Sequence, residues 1–244
     1  MSQVFNVEID PGHGGKDPGA AANGLMEKDI ALAISKGIKQ RLEAEYQGVQ
    51  VQLSRSTDKY LTLKERTDAA NKAGADLLVS IHCNAAGGAG GFESFRYTSA
   101  SAASRSLQNV LHTEIMVALK PYNVRDRGQK AANLHMVRES KMPAVLTENL
   151  FIDVASDAAK LKRQDVIDAL ITGHVTGIAK YLGLKKKEGK RSMDKANVIA
   201  YGKQIKDGLL IDGTVYVPLR AVAEARGDKV GWDNKTKTAT ITAK

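Results

Sequence analysis

The sequence predicts an α/β fold: a mostly parallel twisted sheet flanked by helices, followed by a small α+β carboxyl-terminal domain. Three observations carry this reading. Apolar runs of strand length alternate with amphipathic helical segments over the first three quarters of the chain, as expected of strands joined by crossover helices. The 244 residues, 43% of them hydrophobic, are enough for one full core with a small module to spare. Two histidine-bearing phrases each follow an apolar run, and in open α/β sheets chemistry gathers outside the carboxyl ends of the strands.

Taken in order, Val4 to Ile9 reads as the first strand and runs into Asp10-Pro11-Gly12-His13-Gly14-Gly15. From Asp29 to Glu45, Ile30, Ile34, Ile38 and Leu42 recur every four positions opposite Lys36, Lys39, Gln40 and Arg41, which draws an amphipathic helix. Val49 to Leu53 alternates with period two, a helix follows around Leu63 to Lys72, and the apolar strand from Leu77 to Ile81 leads into His82-Cys83-Asn84-Ala85. Gly87 to Gly91 is too glycine-rich for regular structure and is expected to form a mobile rim. A strand over Phe92 to Tyr97 comes next, then a helix from Ala103 to Leu119 carrying Leu107, Leu111 and Ile115, stopped by Pro121. A basic loop, Arg125 to Gly128, precedes a strand-like Leu134-His135-Met136-Val137. Met142 to Thr147 reads as another buried strand with Glu148 at its carboxyl end, and Gln164 to Leu182 as the last helix, with Gly183 as its stop.

Beyond this point two hairpin-like pieces, Asn197 to Val217 and Lys229 to Thr242, surround a short helix from Pro218 to Arg226. The expected organisation is therefore a first domain over 1–184, a basic linker over 185–192 and a small domain over 193–244.

The formal charge of +9 is unevenly spread: 1–184 holds 22 basic and 20 acidic residues, 185–191 holds 5 and 1, and 192–244 holds 9 and 6. Such a field suits an anionic polymer. With one Trp, four Phe and no interleaving of aromatic and basic residues, a nucleic-acid partner is not expected. No segment approaches the roughly 20 apolar residues of a membrane span, so no membrane insertion is expected. Met1-Ser2-Gln3 leads straight into a strand without a basic region or cleavage site, which predicts synthesis in the cytoplasm without an export signal. Cys83 is the single cysteine, so no intrachain disulfide can form.

Two neighbouring strands ending in His13 and His82 would aim both imidazoles at one spot. A hydrolytic zinc site takes three protein ligands, imidazoles and a carboxylate, and keeps one position open. Glu27, at the entry of the first helix, is the best third ligand, with Asp10, Asp17 and Asp29 as rivals on spacing. Glu148 reaches the same sheet edge from a third strand and fits a general base. Pleat alternation turns Cys83 away from His82, toward the core. His112 and His174 are expected at helix surfaces or the core edge, and His135 within a strand.

The order of phrases resembles the zinc-dependent N-acetylmuramoyl-L-alanine amidases of the Amidase_3 type, found in bacterial autolysins and phage endolysins. The match spans about residues 4 to 182. It rests on Ile9 to Gly15, Glu27, Leu53 to Asp58, Leu63 to Arg66 with Ala70-Asn71, Ala75 to Ala85, Gly91-Phe92-Glu93, and Pro143 to Glu148. The resemblance implies Zn2+ held by His13, Glu27 and His82, Glu148 as base and proton shuttle, and peptidoglycan as substrate. The bond cleaved would join the lactyl group of N-acetylmuramic acid to the L-alanine of the stem peptide.

Cys83 stands where Ala is common in that family, and Asn149 to Asp153 departs from the commoner glycine-phenylalanine version. No long helical insertion separates the strands, which implies an enzyme that does not cover its own metal.

The carboxyl-terminal phrases Ile211 to Ala225, Val230 to Asp233 and Thr238 to Ile241 resemble the copper amine oxidase N-terminal-like domain, here without a histidine. That module implies wall anchoring, with anionic wall polymers met by the linker and this domain. Asn84, Arg127 and Trp232 are candidate substrate or wall contacts; Trp232 and Tyr216 could equally be core. The expected function is peptidoglycan hydrolysis, as a phage endolysin that lyses its host. The alternatives are a leaderless sporulation or autolysin amidase, a zinc peptidase, and a wall-binding protein without catalysis.

Overall fold

The computed structural model describes residues 4–85, 87–187, 194–211 and 214–243. The chain divides into two compact units, Met1–Lys187 and Glu188–Lys244. The first contains β1 (Phe5–Pro11), the short strands β2 (Ala21–Ala22) and β3 (Leu25–Met26), α1 (Glu27–Glu45), β4 (Val49–Leu53), α2 (Leu63–Ala73), β5 (Leu77–Asn84) and β6 (Phe92–Arg96). It continues with α3 (Ala102–Leu119), β7 (Asp126–Ala131), α4 (His135–Arg138), β8 (Ala144–Phe151), α5 (Ala155–Leu161) and α6 (Gln164–Leu182).

Six strands form one sheet in the order β4-β1-β5-β8-β6-β7. The pairs from β4 through β8 are parallel, β6 turns antiparallel to β8, and β7 runs parallel to β6. Period-two alternation sends Val7, Ile9, Val79, Ile81, Cys83, Val145 and Phe92 into one large cluster with α1, α3 and α6. On the opposite face Leu78, Ala144 and Leu146 pack with Ala70 of α2 and Met136 and Val137 of α4. Cys83 thus lies buried on the core side, away from His82.

Local signals explain several boundaries. Thr62 and Glu65 form a reciprocal capping box at the start of α2, and Gly74 closes that helix in the left-handed region at φ 61°. Gly183 does the same for α6.

Four expectations change. The basic stretch after Arg125 enters the sheet as β7, and Leu134 to Val137 bends into the short helix α4, so His135 opens a helix rather than lying in a strand. His135 Nε2 there meets Thr67 Oγ1 at 3.3 Å. His112 and His174, expected at helix surfaces or the core edge, are both buried. His174 Nδ1 donates to the Leu170 carbonyl (2.8 Å) and its Nε2 meets the Thr147 hydroxyl (3.1 Å). Burial pulls its pKa down to about 4, so the ring is neutral.

His112 bridges Ser94 Oγ (2.8 Å) and Asp126 Oδ1 (2.9 Å). The array has the composition of a hydrolytic triad, but Ser94 is 0% exposed and its hydroxyl also accepts from Gln108, so it ties β6 and β7 to α3 instead.

The expected linker starts later than its charge suggests. Lys185 to Lys187 pair with the end of α1, through Gln47 N–H to Lys185 O (2.9 Å) and Lys187 N–H to Glu45 O (2.7 Å). The rest of the basic run, 188–192, lies outside the described residues.

The second unit holds β9 (Asp194–Ala200), β10 (Lys203–Ile211), β11 (Thr214–Tyr216), α7 (Leu219–Arg226), β12 (Lys229–Asp233) and β13 (Thr238–Thr242). Its strands form a three-stranded sheet, β11-β10-β9, and the hairpin β12-β13. Trp232 and Tyr216 are 57% and 54% exposed, so neither is a core residue. Among the described residues no helix is long and apolar enough to cross a membrane.

Helices α3 and α6 meet through small residues. A Cβ placed on Gly173 would lie 2.5 Å from Ile115 Cα, a backbone atom that cannot swing aside. Gly173→Ala is expected to force the helices apart and lower unfolding free energy by about 1–3 kcal/mol. Urea denaturation of the two proteins measures this, and equal midpoints would contradict the packing described.

Candidate metal centre and active site

Pleat alternation that builds the core on one face puts a polar row on the other. His82 on β5 and Glu148 on β8 are register partners, and Glu148 is in turn opposite Glu93 on β6. Asp10 joins the same face from β1, one strand over from Ser80. His13 follows β1 directly, and Glu27 opens α1.

These elements converge on Glu27, which is 4% exposed. Its Oε2 lies 3.1 Å from His13 Nε2 and its Oε1 lies 2.9 Å from His82 Nδ1. The backbone N–H groups of Ala20 (2.9 Å) and Cys83 (3.0 Å) donate to the same two oxygens and fix the carboxylate plane. The imidazole rings stand edge to face, 4.9 Å apart at 80°. One ligand atom from each of His13, Glu27 and His82 falls within 4.8 Å of the others.

Charge follows from this geometry. Burial disfavours the Glu27 carboxylate, yet hydrogen bonds from both histidines and Ala20 outweigh it and hold Glu27 well below the usual carboxylate range. Burial likewise works against a charged His13, and Glu27 with Asp17 overcomes it, raising His13 to about 8. Two imidazoles and a carboxylate are the donor set of a hydrolytic zinc site, and a bound cation would take the place of the protons they share here.

Glu148 sits beside this cluster in a different environment. Burial raises its pKa to about 7, with Glu27 and Glu93 pushing the same way against the opposing pull of His82. Its Oε2 is buried without a hydrogen-bond partner among the described residues. A carboxyl group poised near neutrality can both take and return a proton.

The loop carrying His13 is braced from below. Buried Asp10 and Arg66 pair at 2.8 Å, and Ser54 (2.5 Å) and Ser80 (2.7 Å) also donate to Asp10. Burial alone would raise the Asp10 pKa, but Arg66 and these donors lower it. Arg66 also donates to the carbonyls of Pro11 and His13, each at 2.6 Å, and Arg55 to those of Gly12 and Lys28, each at 2.7 Å. The bracing holds His13 at φ 59°, a left-handed conformation uncommon for a non-glycine residue.

Of the three rival ligands, then, Asp10 is a buried brace and Asp29 is exposed on α1. Asp17 meets His13 Nδ1 at 2.9 Å and orients that ring from outside the cluster.

Asn84 and Arg127 both attach to Glu93, whose Oε1 accepts from Asn84 Nδ2 (2.8 Å) and whose Oε2 accepts from Arg127 Nε (2.8 Å) and Lys130 Nζ (2.5 Å). Trp232 lies in the second unit. Tyr60 and Leu63, which with His13 and His82 line a cleft of about 310 Å3, escaped the sequence reading. Leu63 opens the family-like phrase Leu63 to Arg66, where it read only as the start of a helix, and Tyr60 falls between two such phrases, so neither stood out as a site residue.

Profiles of known families match both units: the N-acetylmuramoyl-L-alanine amidase family, Amidase_3, over residues 7–180, and the copper amine oxidase N-terminal domain over 199–244. The endolysin of Bacillus phage SPP1 is 46% identical over 244 residues, covering 96% of this chain and 89% of that protein. The sporulation-specific N-acetylmuramoyl-L-alanine amidase of Bacillus subtilis is 49% identical over 183 residues, covering 75% and 70%. Among solved structures, an N-acetylmuramoyl-L-alanine amidase from Clostridium difficile 630 superposes with a TM-score of 0.71 at 37% identity, over 77% of this chain and all of that one.

A Cβ on Gly12 would stand 2.4 Å from the His82 ring, so no side chain fits where that imidazole passes. Gly12→Ala should displace His82 and weaken zinc binding by about 10-fold or more, since shifted ligand geometry is costly at such sites. Titration against a chromophoric zinc chelator measures this; unchanged affinity would show that His82 is not a ligand.

Proposed function

The chain belongs to the N-acetylmuramoyl-L-alanine amidase family, and from that premise we propose that it is a zinc-dependent peptidoglycan amidase of the endolysin type. The observation that carries the assignment of roles is the buried, unpartnered Glu148 Oε2 beside the His13–Glu27–His82 cluster. The bond cleaved is the amide between the lactyl group of N-acetylmuramic acid and the stem-peptide L-alanine.

His13, Glu27 and His82 would hold the metal. Zinc held there would supply Lewis-acid polarisation of the amide carbonyl and a lowered pKa for water. Glu148 Oε2 takes the proton from the attacking water, and burial stores it there at near-neutral pH. As the carbon–nitrogen bond breaks, Glu148 returns that proton to the departing alanine nitrogen. Asp17 keeps the His13 ring oriented, and Arg66 and Arg55 keep its loop in place.

The second unit holds the enzyme on the wall. In the hairpin, Val230 pairs with Ile241 and Trp232 with Ala239, so all four side chains share one face. Trp232 and Ile241 are exposed there, a surface suited to stacking on sugar rings, within a segment rich in lysine that suits anionic wall polymers. Residues 185–244 contain neither histidine nor cysteine, so the imidazole and thiolate donors typical of a copper site are lacking.

Glu148→Gln removes the proton acceptor while keeping the shape. Release of soluble material from purified Gram-positive walls should fall by about 10²–10⁴-fold. Mass analysis of wild-type digests should show free stem peptides beginning with L-alanine. New peptide termini inside the stem would instead identify a peptidase, and undiminished release by the variant would remove Glu148 from the mechanism.

Wall binding by the second unit is expected to weaken as salt rises, because exposed charges are screened over about 8 Å at physiological ionic strength. Trp232→Ala should lower it further at any salt. Pull-down of the full chain on purified walls across a salt series tests both effects; binding indifferent to salt and to Trp232 would contradict this role.

A further inference from the structure

The polar face of the sheet does not end at Glu148. His82, Glu148 and Glu93 follow one another across β5, β8 and β6, and the next strand supplies Arg127 and Lys130. Glu93 is 3% exposed and fully engaged, with Asn84 on Oε1 and both cations on Oε2. One carboxylate faces two cations, so this end of the row carries a net positive charge. The Lys130 side chain remains 40% exposed and that of Arg127 25%. An ammonium has three donors, and Lys130 uses one of them on Glu93. Arg127 also lies over the Phe151 ring at 4.5 Å, which fixes its guanidinium in place.

The other side of the metal cluster has the opposite character. The cleft bounded by His13 and His82 runs to Tyr60, Leu61 and Leu63, with Tyr60 and Leu63 exposed. Tyr60, with Lys16 Nζ over its ring at 4.6 Å, and the aliphatic carbon of Leu61 and Leu63 form this wall, with Asp17 also on the cleft lining, a mixed surface suited to the face and hydroxyls of a sugar.

Resting on the amidase reading, we infer that the substrate lies across the sheet in one direction, its muramoyl sugar toward Tyr60 and a carboxylate of its peptide held by Lys130 and Arg127. The reach is right for this. The cation heads gather at Glu93 on β6, two strand spacings from His82, about 10 Å at roughly 4.8 Å per spacing. An extended peptide covers that span in about three residues. The charge recognised therefore belongs to the first few residues beyond the scissile bond, and neutralising it removes a charge-assisted hydrogen bond.

The test compares zinc-loaded full-length protein on two soluble muramoyl tripeptides: one with free carboxyl groups beyond the first residue, the other with the same groups as primary amides. The wild type should favour the carboxylate form by about tenfold or more in kcat/KM, mainly through KM. Lys130→Met should bring the ratio to within about twofold, and Lys130→Arg should restore most of the preference. A purely structural Lys130 would lower both rates and leave the ratio intact, which overturns the inference. A wild type without preference also overturns it while leaving the amidase reading standing. Failure to cleave either substrate defeats both.

Discussion

A β-strand has two faces, and this sheet assigns them opposite tasks. One takes Val7, Ile9, Val79, Ile81 and Val145 into the main core. The other carries Asp10, Ser80, His82, Glu148 and Glu93, polar groups that cost several kcal/mol to bury without partners. Every later feature follows from satisfying that face. Asp10 meets Arg66 and two serines, Glu93 meets Asn84 and two cations, and Glu27 arrives from α1 to meet both histidines. Among the buried side-chain atoms of this row, Glu148 Oε2 alone has no partner among the described residues, and the proposed proton transfer rests on it.

Stability and chemistry are coupled through the same contacts. Arg66 reaches from α2 to the β1 carboxylate and to the carbonyls of Pro11 and His13, so the pair that neutralises a buried charge also shapes the ligand loop. Breaking such a pair leaves an uncompensated charge inside the protein, a cost of about 3–5 kcal/mol. The small residues at Gly12 and Gly173 follow similar logic at two distances from the chemistry. One clears the path of the His82 ring and the other lets α3 and α6 close over the core.

Much of this was legible in the sequence because its signals are local. The phrases around His13 and His82 sit at strand ends, where position along the chain fixes position on the sheet, and the four-residue periodicity of Ile30 to Leu42 marks α1 plainly. Cys83 was readable from alternation alone. Glu148 was readable as to edge and neighbour, but not as to its unpartnered oxygen, which depends on what three other strands place around it.

The misreadings share a cause. Arg125 to Gly128 looks like a loop because its charges hide the pairing of β7 with β6, and Leu134 to Val137 looks like a strand because four apolar-rich residues cannot reveal a period of 3.6. His112 and His174 are buried because Ser94, Asp126, Thr147 and the Leu170 carbonyl supply their partners. Most of those contacts join separate elements, and only the Leu170 bond lies within one helix turn. The Arg66–Asp10 pair spans 56 positions and leaves no local trace.

The central claim is that His13, Glu27 and His82 together hold one zinc ion. X-ray absorption at the zinc edge of the metal-loaded protein tests it most directly. The account predicts one zinc per chain with a first shell of two imidazole nitrogens and carboxylate or water oxygens. A shell containing sulfur from Cys83, or one without imidazole scattering, would contradict it.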